Sequence, residues 1–280
     1  MNPIKLMNLK PGLCAAIVCL VACAGSPRLL AEDPLAAAAR QVFTEKQDSV
    51  VWLSAVAKIA FSAEGGRESI SVPEQEIKVE ALGTLIDPSG LVVTSLSQID
   101  PARKFSGREL RRGSSTIKVE AVATLKEFKV IMPDGTEIPG EIIMKDPDLD
   151  LAFIRIKTAS KEAKGVVFRA VDLKNSAPGA VLDEVVTLSR MDEVLNRAPV
   201  VTRGRVSMVT KKPREFLRVS GGLPGCPTFL VDGKLLGITV TRSVRNKTPA
   251  DVIIPAADVL EIADQAKSAK PTEKGDTKAK

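Results

Sequence analysis

The chain has 280 residues, 44% of them hydrophobic, so it can bury the core of one large all-β unit or of two small domains. It contains no histidine, which excludes both the usual general base at neutral pH and the commonest transition-metal ligand. Its net charge is +6, but eight Phe, one Trp and no Tyr leave few rings to stack on bases, which argues against nucleic acid as a partner.

Residues 1–24 have the pattern of a secretory signal peptide. Lysines precede an apolar run over residues 13–24, which is too short to cross a bilayer as a helix. Ala22 and Ala24 suit an ordinary signal peptidase, whereas residues 20–23 (LVAC) resemble a bacterial lipobox, which would leave Cys23 as a lipid-bearing N-terminus. Either route predicts a secreted or periplasmic protein, with a lipid anchor as its only attachment to a membrane.

A β-rich domain is predicted over residues 46–265, preceded by a tether or short helix at residues 25–45. Within the domain, about a dozen runs rich in Val, Ile, Leu and Thr alternate with turn residues, which is typical of an all-β sandwich or a pair of barrels. The sequences at residues 87–90, 133–135 and 232–233 are turns at hairpin distance.

Two stretches, residues 63–80 and 100–125, are predicted to interrupt the strands. The second carries a basic cluster, which fits either a solvated loop or a surface that binds an anionic envelope or an acidic protein partner. The members of this cluster are Arg103, Lys104, Arg108, Arg111 and Arg112.

The hydrophobic period changes after Pro255. The sequence AADVLEIADQAKS places Val259, Leu260 and Ala263 on one helical face, so a closing helix is expected to pack on the β-domain. The basic tail, counted from residue 266 to residue 280, is predicted to be disordered.

Three segments in this order resemble trypsin-like serine proteases of the HtrA/Deg type. GTLIDPSGLVVTSLSQI is similar to the family stretch that ends in T-N-A-H-V-V, and MPDGTEIPGEIIMKDPDLDLAFIRI to the stretch that contains D-L-A. GLPGCPTFLVDGKLLGI is similar to G-N-S-G-G-P-L-x-x-x-D-G-x-(V/L)-(V/I)-G-I. The resemblance implies an all-β fold of two six-stranded antiparallel barrels, about residues 46–165 and 166–265, with a C-terminal helix and without the PDZ domain that active relatives often carry.

The family cleaves peptides with a serine, a histidine and an aspartate, assisted by two backbone N–H groups that stabilise the oxyanion. The resemblance places Ser97 at the histidine position and Pro224 at the serine position, and only the aspartate remains, as Asp150. The oxyanion donors would be the N–H groups of Gly222 and Pro224, and proline has none. The sequence therefore predicts a catalytically degenerate member.

Other chemistries find little support in the sequence. Cys226 is the one cysteine outside the leader, so no internal disulfide is available, and a buried core cysteine is expected rather than a thiol nucleophile. A dyad of Ser95, Ser97 or Ser220 with a lysine stays open, although no spacing singles one out.

No cofactor and no metal are expected. The chain has no Walker loop and no dinucleotide fingerprint. Asp146, Asp148 and Asp150 resemble the start of a calcium loop, but the required glycine and bidentate glutamate are missing, which favours a turn before a strand.

The function expected from the sequence is that of a secreted pseudoprotease. It would bind an extended peptide or protein ligand in the cleft between the barrels, because trypsin-like proteases bind peptides by adding them as a strand. Two alternatives remain: an active hydrolase with non-standard catalytic residues, and an envelope-surface protein that binds anionic polymer through its positive charge.

Overall fold

The computed structural model of the protein describes residues 33–64, 70–105, 108–112, 115–243 and 248–268. Over these residues the chain forms two six-stranded antiparallel barrels and a C-terminal helix, so the predicted fold class is confirmed. The leader, residues 1–24, and the end of the basic tail, residues 269–280, lie outside the described residues.

Barrel one closes because its first strand pairs on both sides. Its strands are β1 (Val50–Glu64), β2 (Ile70–Asp87), β3 (Leu91–Ser95), β4 (Arg108–Arg112), β5 (Ser115–Ile131), β6 (Glu137–Asp146) and β7 (Leu151–Ile156). The order β1-β2-β3-β7-β6-β5 returns to β1 through a β1–β5 pairing, and β4 adds to the other side of β5. This leaves a six-stranded ring with one additional strand on it.

Barrel two is a closed ring in the order β10-β13-β12-β11-β8-β9. Its strands are β8 (Glu184–Arg190), β9 (Pro199–Thr210), β10 (Phe216–Val219), β11 (Pro227–Leu230), β12 (Leu235–Arg242) and β13 (Ala250–Pro255). Residues 157–183 connect the two barrels, and the domain division expected near residue 165 falls within this connection.

Strand β1 shows why these sequences form barrels. Val51, Leu53, Ala55, Ala57 and Ile59 are buried, and the residues between them are only partly buried. Because side chains of a strand point alternately to its two faces, this pattern turns one face of the sheet into the barrel interior. The same face of β1 therefore supplies much of the core of barrel one.

In the described ranges, three α-helices accompany the barrels: α1 (Pro34–Lys46), α2 (Leu96–Ile99) and α3 (Ala256–Ser268). In α1, which corresponds to the helix expected as one alternative for residues 25–45, Asp33 caps the N-terminus by accepting a hydrogen bond from the N–H of Leu35 at 3.0 Å. No helix among the described residues is long and apolar enough to cross a membrane.

Helix α3 follows barrel two directly but also contacts barrel one. The guanidinium of Arg155 in β7 donates to the carbonyl oxygens of Ala266 at 3.5 Å and Lys267 at 3.2 Å. A cation at this end of a helix satisfies free carbonyls and interacts favourably with the helix dipole. Residues 266–268 therefore belong to the helix, so the prediction that the disordered tail already includes them was wrong.

A buried arginine ties β8 to the start of barrel one. Arg190 is 6% exposed, and its guanidinium donates to the carbonyl oxygens of Val50 at 2.7 Å, Gln47 at 3.1 Å and Arg197 at 3.2 Å. Burial lowers the pKa of this guanidinium, because the charged form is the one that loses its hydration. The three carbonyl contacts compensate for that loss and fix the two barrels against each other.

The prediction that residues 63–80 and 100–125 interrupt the strands was wrong. Strand β2 already begins at Ile70, and β4 and β5 occupy most of the second stretch. Ala121 and Ala123 in β5 pair with Phe61 and Ile59 in β1, whereas Val122, Thr124 and Lys126 on the opposite face of β5 are exposed. Because only every second residue faces the sheet interior, the apolar content of these strands is too low to stand out as a hydrophobic run.

Candidate functional site

Asp150 lies at the end of a tight turn between β6 and β7. The Asp146 carboxylate accepts hydrogen bonds from the N–H groups of Asp148 and Leu149, both at 3.0 Å, which stabilises the turn. Asp150 itself has a left-handed backbone with φ of 58°, which aspartate tolerates better than most residues. The expected turn before a strand is confirmed, and within the described ranges no group of three potential ligand side chains could hold a metal ion.

The side chain of Asp150 is buried and receives hydrogen bonds from both barrels. Its Oδ1 accepts from the N–H of Ser97 at 2.8 Å. Its Oδ2 accepts from the hydroxyl of Ser97 at 3.0 Å, from the hydroxyl of Ser95, and from the N–H of Thr241 in barrel two at 3.1 Å. With four donors, this carboxylate has its hydrogen-bonding capacity filled by the protein.

Arg103 supplies the positive charge beside this carboxylate. Its Nε lies 4.0 Å from Asp150 Oδ1, and its Nη2 donates to the carbonyl oxygen of Pro147 at 3.1 Å. On the other side of the turn, Arg242 donates to the carbonyl oxygen of Asp148 at 3.2 Å and stacks on the Phe216 ring. The charge that an imidazolium would place near the aspartate comes here from a guanidinium.

The predicted basic surface cluster is only partly described. Arg103 is exposed, as a surface residue is expected to be, and its guanidinium also contacts the turn that holds Asp150. The chain after α2 turns back over barrel one, which carries Arg103 towards the buried carboxylate. The backbone of residues 108–112 forms β4, but the side chains of Lys104, Arg108, Arg111 and Arg112 lie outside the described residues.

The serine hydroxyls at this site are bound to the aspartate. Ser95 and Ser97 both donate to Asp150, and their own Oγ atoms lie 3.1 Å apart. Among the described residues, neither hydroxyl has a hydrogen bond to a lysine amine. Ser220 lies elsewhere, exposed on the wall of a cavity in barrel two. Within the described part of the chain, the geometry thus gives neither Ser95 nor Ser97 a basic amine that could remove its proton.

The loop that contains Pro224 is seated on barrel one. Gly225 has φ of +86°, and a Cβ at this position would lie 2.0 Å from the carbonyl oxygen of Leu82 and 3.0 Å from the hydroxyl of Thr94. The Gly225 carbonyl also accepts a hydrogen bond from the hydroxyl of Thr84 at 2.7 Å. The loop therefore lies at the same contact between the barrels as the end of β3, where Ser95 lies and after which Ser97 follows.

Only one of the two expected oxyanion donors exists. Pro224 has no N–H group, whereas the N–H of Gly222 is present and has no hydrogen-bond partner among the described residues. The turn is closed by the N–H of Cys226, which donates to the carbonyl of Leu223 at 3.0 Å. A developing oxyanion at this loop would thus meet a single backbone donor.

Cys226 is a buried core cysteine, as expected. Its side chain is fully buried in the cluster that contains Phe229 and Ile238, and it is not in a disulfide. Burial raises the pKa of the thiol far above its usual range, because the thiolate would lose its hydration. The thiol stays protonated at physiological pH, which excludes it as a nucleophile.

Strand β12 presents an open backbone edge next to Asp150. In an antiparallel ladder, alternate residues point their N–H and C=O groups to the same side. The N–H of Thr239 donates to the Cys226 carbonyl at 3.0 Å, and its carbonyl accepts from the Gly225 N–H at 2.8 Å. The backbone groups of Thr239 therefore point to the loop that contains Pro224 rather than to β13. The backbone groups of Thr241 point to the same side as those of Thr239. The Thr241 N–H donates to the Asp150 carboxylate, and the Thr241 carbonyl has no partner among the described residues. Backbone groups leave no signature in sequence, so this feature could not be predicted.

A cavity of about 570 Å³ lies beside this edge. It is lined by residues 218–222 and 248–251 together with Ser207. These residues come from the end of β10, the start of β13 and the segment before it, so the cavity belongs to barrel two. The sequence drew attention to this region only through Gly222 and Ser220.

Comparisons with known proteins agree with this geometry. A family model of the trypsin-like peptidase domain matches residues 81–238, which is more than half of the chain and includes Ser97, Asp150 and Pro224. No curated protein matches the chain in sequence.

Solved structures show the same fold at low sequence identity. Deg5 matches with a TM-score of 0.52 and 18% identity over 82% of this chain and 93% of its own. The serine endoprotease from Yersinia pestis has a TM-score of 0.52 and 15% identity over 81% and 66%, respectively. The MamO protease domain from Magnetospirillum magneticum, in its apo form, has a TM-score of 0.46 and 16% identity over 79% and 98%. The resemblance in fold to the HtrA/Deg type is confirmed.

Proposed function

The chain belongs to the trypsin-like peptidase domain family, and from that premise we propose that it is a non-catalytic member that binds extended peptide segments between its barrels. In this proposal it acts outside the cytosol, as a secreted or periplasmic protein with the lipid anchor at Cys23 as an alternative form of processing. Its ligand is a peptide or an extended segment of a protein.

The proposal of lost catalysis is supported by three separate deficits. No histidine is present in the chain, Pro224 occupies the nucleophile position, and one oxyanion donor is missing. Loss of a single oxyanion donor alone costs about 100- to 1,000-fold in rate. Ser95 and Ser97 do not replace the nucleophile, because both hydroxyls are bound to Asp150, whose carboxylate already accepts four hydrogen bonds, and neither hydroxyl bonds to a lysine amine among the described residues.

One observation carries the proposal of peptide binding: only one of the two backbone groups of Thr241 has a hydrogen-bond partner among the described residues. Its N–H is held by Asp150, whereas its carbonyl faces the cleft without a partner among the described residues. An extended peptide that lies along β12 can donate an N–H to this carbonyl and thereby add to the sheet. Strand addition needs no nucleophile, so peptide binding along β12 does not require a serine at position 224 or a histidine at position 97.

The absence of catalysis is tested with a fluorophosphonate probe and a casein digestion assay on the purified mature protein. We expect neither labelling nor turnover above a heat-denatured control. Stoichiometric labelling, mapped by mass spectrometry to Ser95, Ser97 or Ser220, would establish the alternative of a hydrolase with non-standard residues. An active member of the same family serves as the positive control for both assays.

Peptide binding is tested by selection from a randomised dodecapeptide library, followed by affinity measurement with synthetic peptides. Each backbone N–H of a selected peptide is then N-methylated in turn. Because Thr241 offers a single carbonyl, we expect one position at which methylation weakens binding by about tenfold or more. Uniform tolerance of N-methylation, or no selected binders at all, would contradict strand addition along β12.

A further inference from the structure

Strand β2 has a free backbone edge in its first half. From Gln75 to Thr84 it pairs with β1 without a shift of register, whereas its other side pairs with β3 only from Thr84 onward. Within the described part of the chain, no backbone group of residues 74–80 has a hydrogen bond outside the β1–β2 ladder. Such an unpaired edge is a template on which a strand of another chain can be added.

The direction of the backbone groups on this edge follows from Leu82. Its carbonyl accepts the hydroxyl of Thr94 in β3 at 2.6 Å, so it points away from β1. Alternate residues of a strand point their N–H and C=O groups to the same side, and the register with β1 is continuous here. Glu76, Lys78 and Glu80 therefore present their N–H and C=O groups on the free edge.

The charge order on this edge is complementary to itself. The sequence Glu76-Ile77-Lys78 has an acid and a base placed symmetrically about Ile77. When two identical strands pair antiparallel about Ile77, Glu76 of each copy lies opposite Lys78 of the other, and the two Ile77 residues lie opposite each other. Because Glu76 and Lys78 point their backbone groups to the edge, they form the hydrogen-bonded pairs of such a ladder.

The neighbouring charges favour this register and limit its length. Lys58 of β1 lies 3.2 Å from Glu76, so the row of Lys58, Glu76 and Lys78 of the second copy alternates in sign across the joined sheet. The next acids, Glu74 and Glu80, would lie opposite each other, and like charges in that position are destabilising. The ladder is therefore expected to end before these residues.

Exposed apolar side chains lie on and beside the edge. Ile77 is 36% exposed, and in the turn between β8 and β9 Val194 is 85% and Leu195 is 51% exposed. Glu193 of the same turn lies 3.9 Å from Lys78, which places the turn next to β2. A strand added to the edge shields Ile77, and the turn offers the added copy further apolar contact area, which favours association in water.

We propose that the free edge of β2 is a self-association site, at which a second copy of the chain pairs antiparallel about Ile77. The same residues contribute from both copies, so the interface is isologous and closes as a two-fold dimer with one continuous sheet. Because the ladder is short, the dimer is reversible and its population rises with protein concentration. This interface is separate from the peptide-binding edge at Thr241.

The test measures the monomer–dimer equilibrium of the purified mature protein by sedimentation at several concentrations. For the wild type we expect a concentration-dependent dimer. Glu76→Lys and Lys78→Glu each replace two ion pairs of the interface by two like-charge pairs, so each variant alone should dimerise about tenfold or more weakly. An equimolar mixture of the two variants restores the dimer, because each supplies the charge that the other one needs. The double variant should dimerise like the wild type.

Lys118→Glu is the matched control. Lys118 lies in β5, which pairs with β1 and β4 at this residue, so it has no free edge. Its ion pair with Glu120 at 2.6 Å corresponds to that of Lys78 with Glu80 at 2.7 Å. The two charge reversals therefore remove the same kind of local contact, and we expect Lys118→Glu to keep the wild-type equilibrium. Thermal melting curves verify that all variants are folded.

Every other outcome would overturn the proposal. A wild-type protein that stays monomeric at all concentrations has no such interface. A dimer that persists in both edge variants, or that Lys118→Glu weakens equally, is not formed by the edge of β2. If the mixture of folded edge variants stays monomeric, the register about Ile77 is refuted.

Discussion

The two halves of the site differ in how many of their polar groups have hydrogen-bond partners within the protein. The half from barrel one is closed, because Asp150 has four hydrogen-bond donors and a neighbouring guanidinium. The half from barrel two is open, because the Thr241 carbonyl and the Gly222 amide have no partner among the described residues. In the proposed function, Asp150 is therefore a structural carboxylate and the peptide is bound by barrel two.

The largest predicted effect concerns the loop that joins the two halves. Gly225→Ala would place a methyl group 2.0 Å from the Leu82 carbonyl in a left-handed backbone, and we expect it to lower the free energy of unfolding by about 4 kcal/mol. Chemical denaturation measures the loss. Gly233→Ala is the matched control, since Gly233 has φ of +84° but nothing within 4 Å, and should cost only about 1 kcal/mol. Equal losses in the two variants would mean that the loop is not seated on β2.

The next effect tests whether Asp150 is structural. Asp150→Ala leaves the N–H groups of Ser97 and Thr241 and the hydroxyl of Ser95 without their acceptor, so we expect a loss of about 3 kcal/mol in unfolding free energy. Peptide affinity, measured where the variant is fully folded, should change by less than about threefold. Asp148→Ala, on the exposed side of the same turn, should stay within about 0.5 kcal/mol. A stable Asp150→Ala variant with abolished binding would reverse the assignment of the two halves.

The smallest effect is predicted for Pro224→Ser. This change restores a hydroxyl and an N–H at the nucleophile position, but the chain still lacks a histidine. We expect no fluorophosphonate labelling and a loss in unfolding free energy of no more than about 1 kcal/mol, because a proline restricts the unfolded chain. Wild-type protein is the control. Labelling at residue 224 would show that the site still contains a competent base.

Much of the fold could be predicted from the sequence because its signals are local. The apolar runs of β3 and β7 are short, nearly continuous and bounded by turns, so they are recognisable as buried strands. The outer parts of β2 and β5 could not be recognised, since their alternating charges hide a one-sided apolar face. Their strand structure depends on pairing with β1, which the local pattern does not contain.

Only those features of the site that depend on the identity of a side chain could be predicted from the sequence. The proposed loss of a base and of a nucleophile depends directly on the identities of Ser97 and Pro224. The involvement of Arg103 with Asp150 depends on how the chain folds back after α2, and the open edge at Thr241 depends on strand parity. Both are properties of three-dimensional arrangement, which residue spacing does not determine.

The contrast between the two halves is tested most directly by amide hydrogen exchange, measured residue by residue with and without a selected peptide. In the free protein, we predict slow exchange at Ser97 and Thr241, which donate to Asp150, and fast exchange at Gly221 and Gly222. Added peptide should protect Gly222, which lies beside Thr239 of β12, and leave Ser97 unchanged. Protection that appears at Ser97 instead, or fast exchange there in the free protein, would contradict a closed barrel-one half and an open barrel-two half.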